Sequence, residues 1–218
     1  MTGKLFVLEG IEACGKSTQI ALLAQALARS GKLGSRTIVL VRDPGGTVVG
    51  EQIRDLFKSS VAKMHSAAAL ALILASRAQL ISEVIVPNLE RGNIVICDRF
   101  YHSTIAYQGN VQELGMEETA TVAKDYAKLA GLVSPPDCTV ILKVPLESAQ
   151  KRLAIRIGDK DHFDKLAAGD GQLSIGAVRM HEAYESMHKI LRGERIVSVD
   201  GARPEAEVAQ DVLAACQI

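Results

Sequence analysis

The sequence predicts a three-layer α/β sandwich, in which a five-stranded parallel sheet is flanked by helices and carries a small lid. Three observations predict it. Short runs rich in Val, Ile and Leu alternate with longer segments of helical period. A glycine loop follows the first run and opens the first long segment. No Gly-, Ser- or Pro-rich linker, low-complexity tract or repeat interrupts the alternation. At 218 residues the chain fits one domain over 1–218, since single cores stop growing beyond roughly 250 residues.

The strands are expected at 5–9, 37–41, 94–97, 139–144 and 196–199, which read LFVLE, TIVLV, IVIC, TVILKV and IVSV. Such continuous aliphatic runs suit strands buried on both faces. Between them the helices fall near 16–30, 48–58, 65–89, 117–130, 146–156, 174–191 and 204–216. The stretch 158–171 mixes glycine and aspartate with Lys160 and His162 and lacks a steady apolar period. It predicts a mobile, charged flap, and the lid is placed at about 152–171. Ligands of such sheets gather at the carboxyl ends of the strands.

Composition narrows the function classes. A 48% hydrophobic and 23% charged chain buries a real core, which excludes wholesale disorder. The 25 basic residues cancel the 25 acidic ones, so no global field draws the chain to nucleic acid or anionic membrane, and any anion site is local. Cys14, Cys97, Cys138 and Cys216 show no CxxC spacing, which argues against a zinc site or a disulfide framework and for a reducing cytoplasm. No basic n-region or cleavage site marks a signal peptide. The longest apolar run, 67–75, is far short of the ~20 residues of a membrane span. The expectation is a soluble cytoplasmic protein.

The strongest signal is Gly10-Ile11-Glu12-Ala13-Cys14-Gly15-Lys16-Ser17-Thr18, a GxxxxGK[ST] phosphate loop in its strand-to-helix context. Its glycines let backbone N–H groups turn inward around phosphate oxygens, and the helix N-terminus adds positive potential. Lys16 neutralises terminal phosphates and Ser17 offers a ligand to magnesium. Asp98 ends the third strand, where a carboxylate serves the magnesium shell. Arg99 follows, placed to grip a phosphoryl group; the plain alternative is a helix cap with a surface ion pair.

Three segments offer an acceptor site. Arg42-Asp43-Pro44-Gly45-Gly46-Thr47 follows the second strand, with Arg42 as a phosphate donor and a proline and glycines that bring backbone close to a ligand. Arg77 interrupts an apolar helix beside Leu70, Ile73, Leu74 and Leu80, where a charge is expensive without a partner. The alternative is an arginine that snorkels to water. The run from Phe100 and Tyr101 through Ser103, Thr104, Tyr107 and Gln108 supplies hydroxyls, an amide and rings for a base and sugar; alone, it reads equally as a half-buried helix.

In order and spacing these pieces resemble the thymidylate kinases, P-loop nucleoside monophosphate kinases that make dTDP from dTMP and MgATP. GIEACGKST is similar to the family's phosphate loop, RDPGGT to its REPGGT, and DRFYHSTIAYQG to its DRxxxSTxAYQG signature. The resemblance is strong over 4–110 and lies in layout beyond. It implies that Glu12 meets the acceptor's 3'-hydroxyl, Arg42 and Arg99 its phosphate, and Arg77, Thr104 and Gln108 the thymine edge. Pro44 and Ser103 complete the acceptor site, and Tyr107 lies against the deoxyribose and disfavours a 2'-hydroxyl. Bacterial-type members without an arginine in the phosphate loop use lid arginines, and Ala13 and Cys14 stand here where one would sit. Arg152 and Arg156, on one helical face, become the candidates. Asp200-Gly201-Ala202-Arg203 resembles the adenine loop, with Arg203 stacking on the base. The resemblance also implies Mg2+, ATP as co-substrate and a homodimer built on the apolar helix of residues 66–86.

Two positions depart from the family pattern. Ile73 stands where a phenylalanine usually stacks on thymine, leaving Phe100 or Tyr101 as substitutes, and His162 stands in the lid where an arginine is usual. The reading is therefore a dTMP kinase. Its alternatives are a kinase for another pyrimidine or modified deoxynucleoside monophosphate, and a nucleotide-binding protein with little turnover.

Overall fold

The computed structural model describes residues 3–58, 64–155 and 175–217. Arg156, His162 and most of the expected lid lie outside them. Five strands, β1 (Lys4–Glu9), β2 (Ile38–Arg42), β3 (Ile94–Asp98), β4 (Cys138–Lys143) and β5 (Ile196–Asp200), form one sheet in the order β2-β3-β1-β4-β5. Every pairing is parallel. The helices are α1 (Lys16–Arg29), α2 (Val48–Lys58), α3 (Ser66–Leu80), α4 (Val86–Glu90), α5 (Tyr101–Thr104), α6 (Met116–Leu129), α7 (Leu146–Ile155), α8 (Ile175–Ile190) and α9 (Glu205–Ala215).

The sheet sorts itself by hydrophobicity. Central β1, β3 and β4 are buried almost throughout, as strands covered on both faces require. The edge strands depart from that expectation: β2 and β5 are only partly covered, and Leu40 is half exposed. Edge position explains this, because one side of each strand has no neighbour.

The helix expected over 65–89 continues from α3 through a wider π turn, Ile81–Ile85, into α4. Pro87 lies just past that turn; it has no N–H to donate, and a π bulge is one way a helix accommodates the lost bond. Ser66–Glu90 is thus one helical rod of 25 residues, long and apolar enough by composition to cross a membrane. Core helices share that length and composition, and this rod buries Ile73, Leu74, Leu80, Ile81 and Ile85 in the protein. A second departure concerns 101–109. The segment is helical, α5 followed by a π-helical stretch Ile105–Val111, but every residue from Tyr101 to Gly109 is buried rather than half-buried.

Register brings the chemistry to one edge. Arg42 pairs with Asp98, and Asp98 with Leu8, so the ends of β2, β3 and β1 lie side by side. The phosphate loop leaves β1 at Gly10, whose φ is 137°. A Cβ there would stand 2.6 Å from Leu142 O and 2.8 Å from Cys14 Sγ, so only glycine fits.

Candidate active site

A cleft of about 470 Å3 opens at the carboxyl ends of β1, β2 and β3. Its walls include Glu12, Ala13, Gly15, Lys16, Ser17 and Thr18 from the phosphate loop, Arg42 and Pro44 after β2, and Ile73 and Arg77 on α3. Asp98, Arg99, Ser103, Thr104, Tyr107 and Gln108 close it from the β3 side. The sheet places these sequence-distant segments around one space because parallel strands all end on the same side.

The loop lysine is held by its own loop. Lys16 Nζ donates to Gly10 O at 3.1 Å and Ile11 O at 3.0 Å, with Cys14 Sγ at 3.7 Å. Gly15, at φ 103°, caps α1 without a side chain, which leaves backbone donors at the helix start. Ala13 also has positive φ, 57°, a conformation unusual for a residue with a Cβ.

Arg99 is the most constrained cation. Its backbone has φ 68°, and its N–H donates to Leu8 O. Nη1 donates to Gly10 O at 3.1 Å, Ser103 Oγ at 3.0 Å and the Tyr184 hydroxyl at 3.2 Å; Nη2 donates to Glu12 Oε1 at 2.5 Å. The guanidinium also lies 5.7 Å from the Tyr107 ring centroid. Glu12 accepts a further bond from the Tyr107 hydroxyl at 2.6 Å. Burial opposes the Glu12 charge, but Arg99 and Lys16 outweigh it and hold the carboxyl down to about 2. The plain reading of Arg99 as half of a surface ion pair does not fit these contacts.

Arg77 does not snorkel. It is 2% exposed, with Nε donating to Asp43 Oδ2 at 2.5 Å and Nη2 to Thr104 Oγ1 at 2.5 Å. Its guanidinium carbon lies 5.5 Å from the Phe100 centroid, while buried Nη1 has no hydrogen-bond partner. Arg42 is less enclosed and pairs with Glu51 at 2.6 Å.

Asp98 suits a metal-shell role on one observation: its buried Oδ1 has no partner, and the residue lines the cleft that Ser17 also lines. Among the described residues no group of three or more His, Cys, Asp or Glu is arranged for a metal. Magnesium needs none, since it keeps waters and takes phosphate oxygens beside one or two protein groups.

Other candidates fall elsewhere. Arg152 is exposed and donates to Gly201 O at 3.3 Å, outside the cleft lining. Arg203 pairs with Asp211 and Glu207 of α9. Neither Phe100 nor Tyr101 lines the cleft in place of the missing ring. Phe100 is fully buried, and the Tyr101 hydroxyl is tied to Glu194 at 2.6 Å. Asp43, Arg54, Glu9 and Tyr184 were not legible as site residues. Asp43 stood in the RDPGGT motif without an assigned partner, Glu9 was a lone carboxylate ending an aliphatic strand, and Tyr184 carries no sequence signal.

Comparison with known proteins agrees with this geometry. The family model for thymidylate kinase matches residues 8–212. The chain is 38% identical over 205 residues to thymidylate kinase of Fervidobacterium nodosum, covering 94% of each chain. It is 40% identical over 195 residues to that of Thermosipho africanus, covering 89% of this chain and 88% of the relative. The crystal structure of thymidylate kinase from Ehrlichia chaffeensis superposes with a TM-score of 0.72 at 25% identity, covering all of both chains. Phosphate loop, arginine-lined cleft and full-length similarity lead to one assignment: the chain belongs to the thymidylate kinase family.

Proposed function

We propose that this cleft carries out phosphoryl transfer from MgATP to the 5'-phosphate of dTMP, giving dTDP and ADP, with the roles divided among its residues as follows. The phosphate loop, residues Gly10 to Thr18, holds the donor phosphates, and Lys16 and Arg99 stabilise charge on the transferring group. Ser17 and Asp98 hold magnesium, which when bound neutralises phosphate charge. Arg42 takes the acceptor phosphate, Glu12 and Tyr107 the sugar, and Arg77, Thr104 and Gln108 the base edge, beside Pro44, Ile73 and Ser103. The attacking phosphate oxygen is already ionised at neutral pH, so no general base is required. Catalysis rests on positioning and electrostatics.

One observation carries the reading: Arg77, a residue that lines the cleft, is clamped by Asp43 and Thr104 yet keeps its buried Nη1 without a partner. A buried donor of this kind is costly unless a ligand acceptor meets it. The test is ADP release with MgATP and each of dTMP, dUMP, UMP, CMP, AMP and GMP, against an acceptor-free control. Turnover chiefly with dTMP is expected; turnover chiefly with another monophosphate overturns the base assignment. Ile73 on the cleft wall favours the second reading, a different pyrimidine or modified deoxynucleotide, and the same panel decides between them.

The proposal extends to the rest of the molecule. Arg152 and Arg156 close over the phosphoryl group from a lid at about 152–171, Arg203 attends the adenine, and 1–218 is a single domain. A homodimer is built on the apolar helix of residues 66–86, beside which α2 exposes Val48, Val49 and Leu56 and α6 exposes Val122, Tyr126 and Leu129. Light scattering at micromolar concentration is expected to give twice the 23.3 kDa chain mass. A cytoplasmic location without nucleic-acid or membrane partners is supported by zero net charge and four free cysteines.

A further inference from the structure

Behind Arg99 lies a carboxylate with no exposure at all. Glu9, the last residue of β1, is 0% exposed and sits 3.9 Å from the Arg99 guanidinium, too far for a direct hydrogen bond. Its two oxygens face different groups. Oε1 accepts the backbone N–H of Phe100 at 2.7 Å and shares that of Ser103, at 3.2 Å, with Phe100 O at 3.0 Å; both lie at the start of α5, a helix with no side-chain cap of its own. Oε2 accepts the Ser103 hydroxyl at 2.8 Å and the Tyr184 hydroxyl at 2.9 Å.

Those same two hydroxyl oxygens accept from Arg99 Nη1. A hydroxyl has one proton and two lone pairs, and an ionised carboxylate only accepts. Because Oε2 takes both protons, neither hydroxyl has one left to point at the guanidinium. The 3.1 Å approach of the hydroxyls to each other then carries no donated proton. We propose that Glu9 is a positioning residue for the transfer reaction: its carboxylate sets the proton direction of the Ser103 and Tyr184 hydroxyls, so that both present lone pairs to Nη1 and hold Arg99 over the cleft. Its Oε1 fixes the turn just after Arg99, where the backbone has left-handed φ. One side chain therefore restrains the arginine at both its main chain and its guanidinium. The inference rests on Arg99 acting on a phosphoryl group, as argued above.

Glu9→Gln separates the two functions. The amide oxygen still serves the Phe100 and Ser103 N–H groups, so the cap survives. The NH2 group now donates where Oε2 accepted, and the hydroxyls must turn protons elsewhere, Nη1 included. In the ADP-release assay the expected result is a folded protein whose kcat falls on the order of tenfold or more, because a small displacement of a catalytic group costs this much. ATP affinity, read by titration, stays within about twofold, since the phosphate loop is untouched. Tyr184→Phe in the Glu9→Gln background then costs much less than in the parent, because the hydroxyl has already lost its orientation.

Unchanged kcat in folded Glu9→Gln, or full additivity of the two substitutions, overturns the proposal. If Glu9→Gln does not fold, Tyr184→Phe alone decides: a severalfold loss of kcat supports the hydroxyl's part, and parental kcat overturns it. Arg99→Ala is assayed beside them. If that variant keeps its activity, the role given to Arg99 itself is wrong, whereas an inactive Arg99→Ala with a fully active Glu9→Gln removes only the positioning claim.

Discussion

Arg77 Nε donates to Asp43 Oδ2 at 2.5 Å, with side-chain exposures of 3% and 0%. Burial pushes the Asp43 carboxyl up, and the Arg77 charge pulls against that shift. Removing one partner of such a pair leaves an uncompensated buried charge.

Asp43→Ala is therefore expected to destabilise the fold by about 3 kcal/mol or more and to raise KM for dTMP, since Arg77 loses one of its two anchors. Denaturant unfolding and steady-state kinetics check both. Stability at the parental level would mean that the pair is no stronger than a surface ion pair.

Lys16→Ala is expected to lower kcat by at least about 100-fold, because the proposed reaction gives its ammonium the charge on the transferring phosphate to stabilise. The variant should unfold at close to the parental temperature. Near-parental turnover would contradict the assignment of the phosphate loop.

Glu12 gives a signature in acid. Its carboxyl titrates at about 2 in the fold against an ordinary 4.5, so its contribution to stability is complete above 4.5 and is lost as pH falls towards 2. In Glu12→Gln the melting temperature should lose less between those values than the parent does. Parallel curves would show that Arg99 and Lys16 do not hold the charge in solution.

His102 gives a second signature, at milder pH. It is fully buried; burial, then Arg77 and Lys124, push its imidazole down to about 3 from an ordinary 6.5. The unfolded chain then binds more protons than the fold between those values, so the residue costs stability as pH falls, by up to about 1.4 kcal/mol per pH unit. Glu9, whose carboxyl burial pushes up, acts in the opposite direction over part of this range. The comparison of parent with His102→Gln isolates the histidine. A smaller slope of unfolding free energy between pH 6 and 4 is expected in the variant, and an unchanged slope would mean that His102 is protonated in the fold.

Much of the architecture is legible in local patterns. The aliphatic runs become β1 to β5 within a residue or two of their expected ends, because a strand covered on both faces has few alternatives to Val, Ile and Leu. GxxxxGK[ST] fixes its own loop through close backbone approach at Gly10 and positive φ at Gly15, both properties of the residues themselves. Arg77 was conspicuous because a charge in an apolar helix demands a partner, but Asp43 as that partner was not. Phe100 and Tyr101 do not replace the absent ring, because both are buried away from the cleft lining.

The sequence by itself determined the parallel α/β order, the phosphate loop and the residue types that surround it, since these follow from periodicity and short-range sterics. Tertiary structure alone decided who pairs with whom. Glu9 meets Tyr184 across 175 residues and Arg77 meets Asp43 across 34, and both pairings form because burial makes any unpartnered polar group costly. Which partner satisfies each one depends on sheet order and helix packing, and no local pattern encodes it.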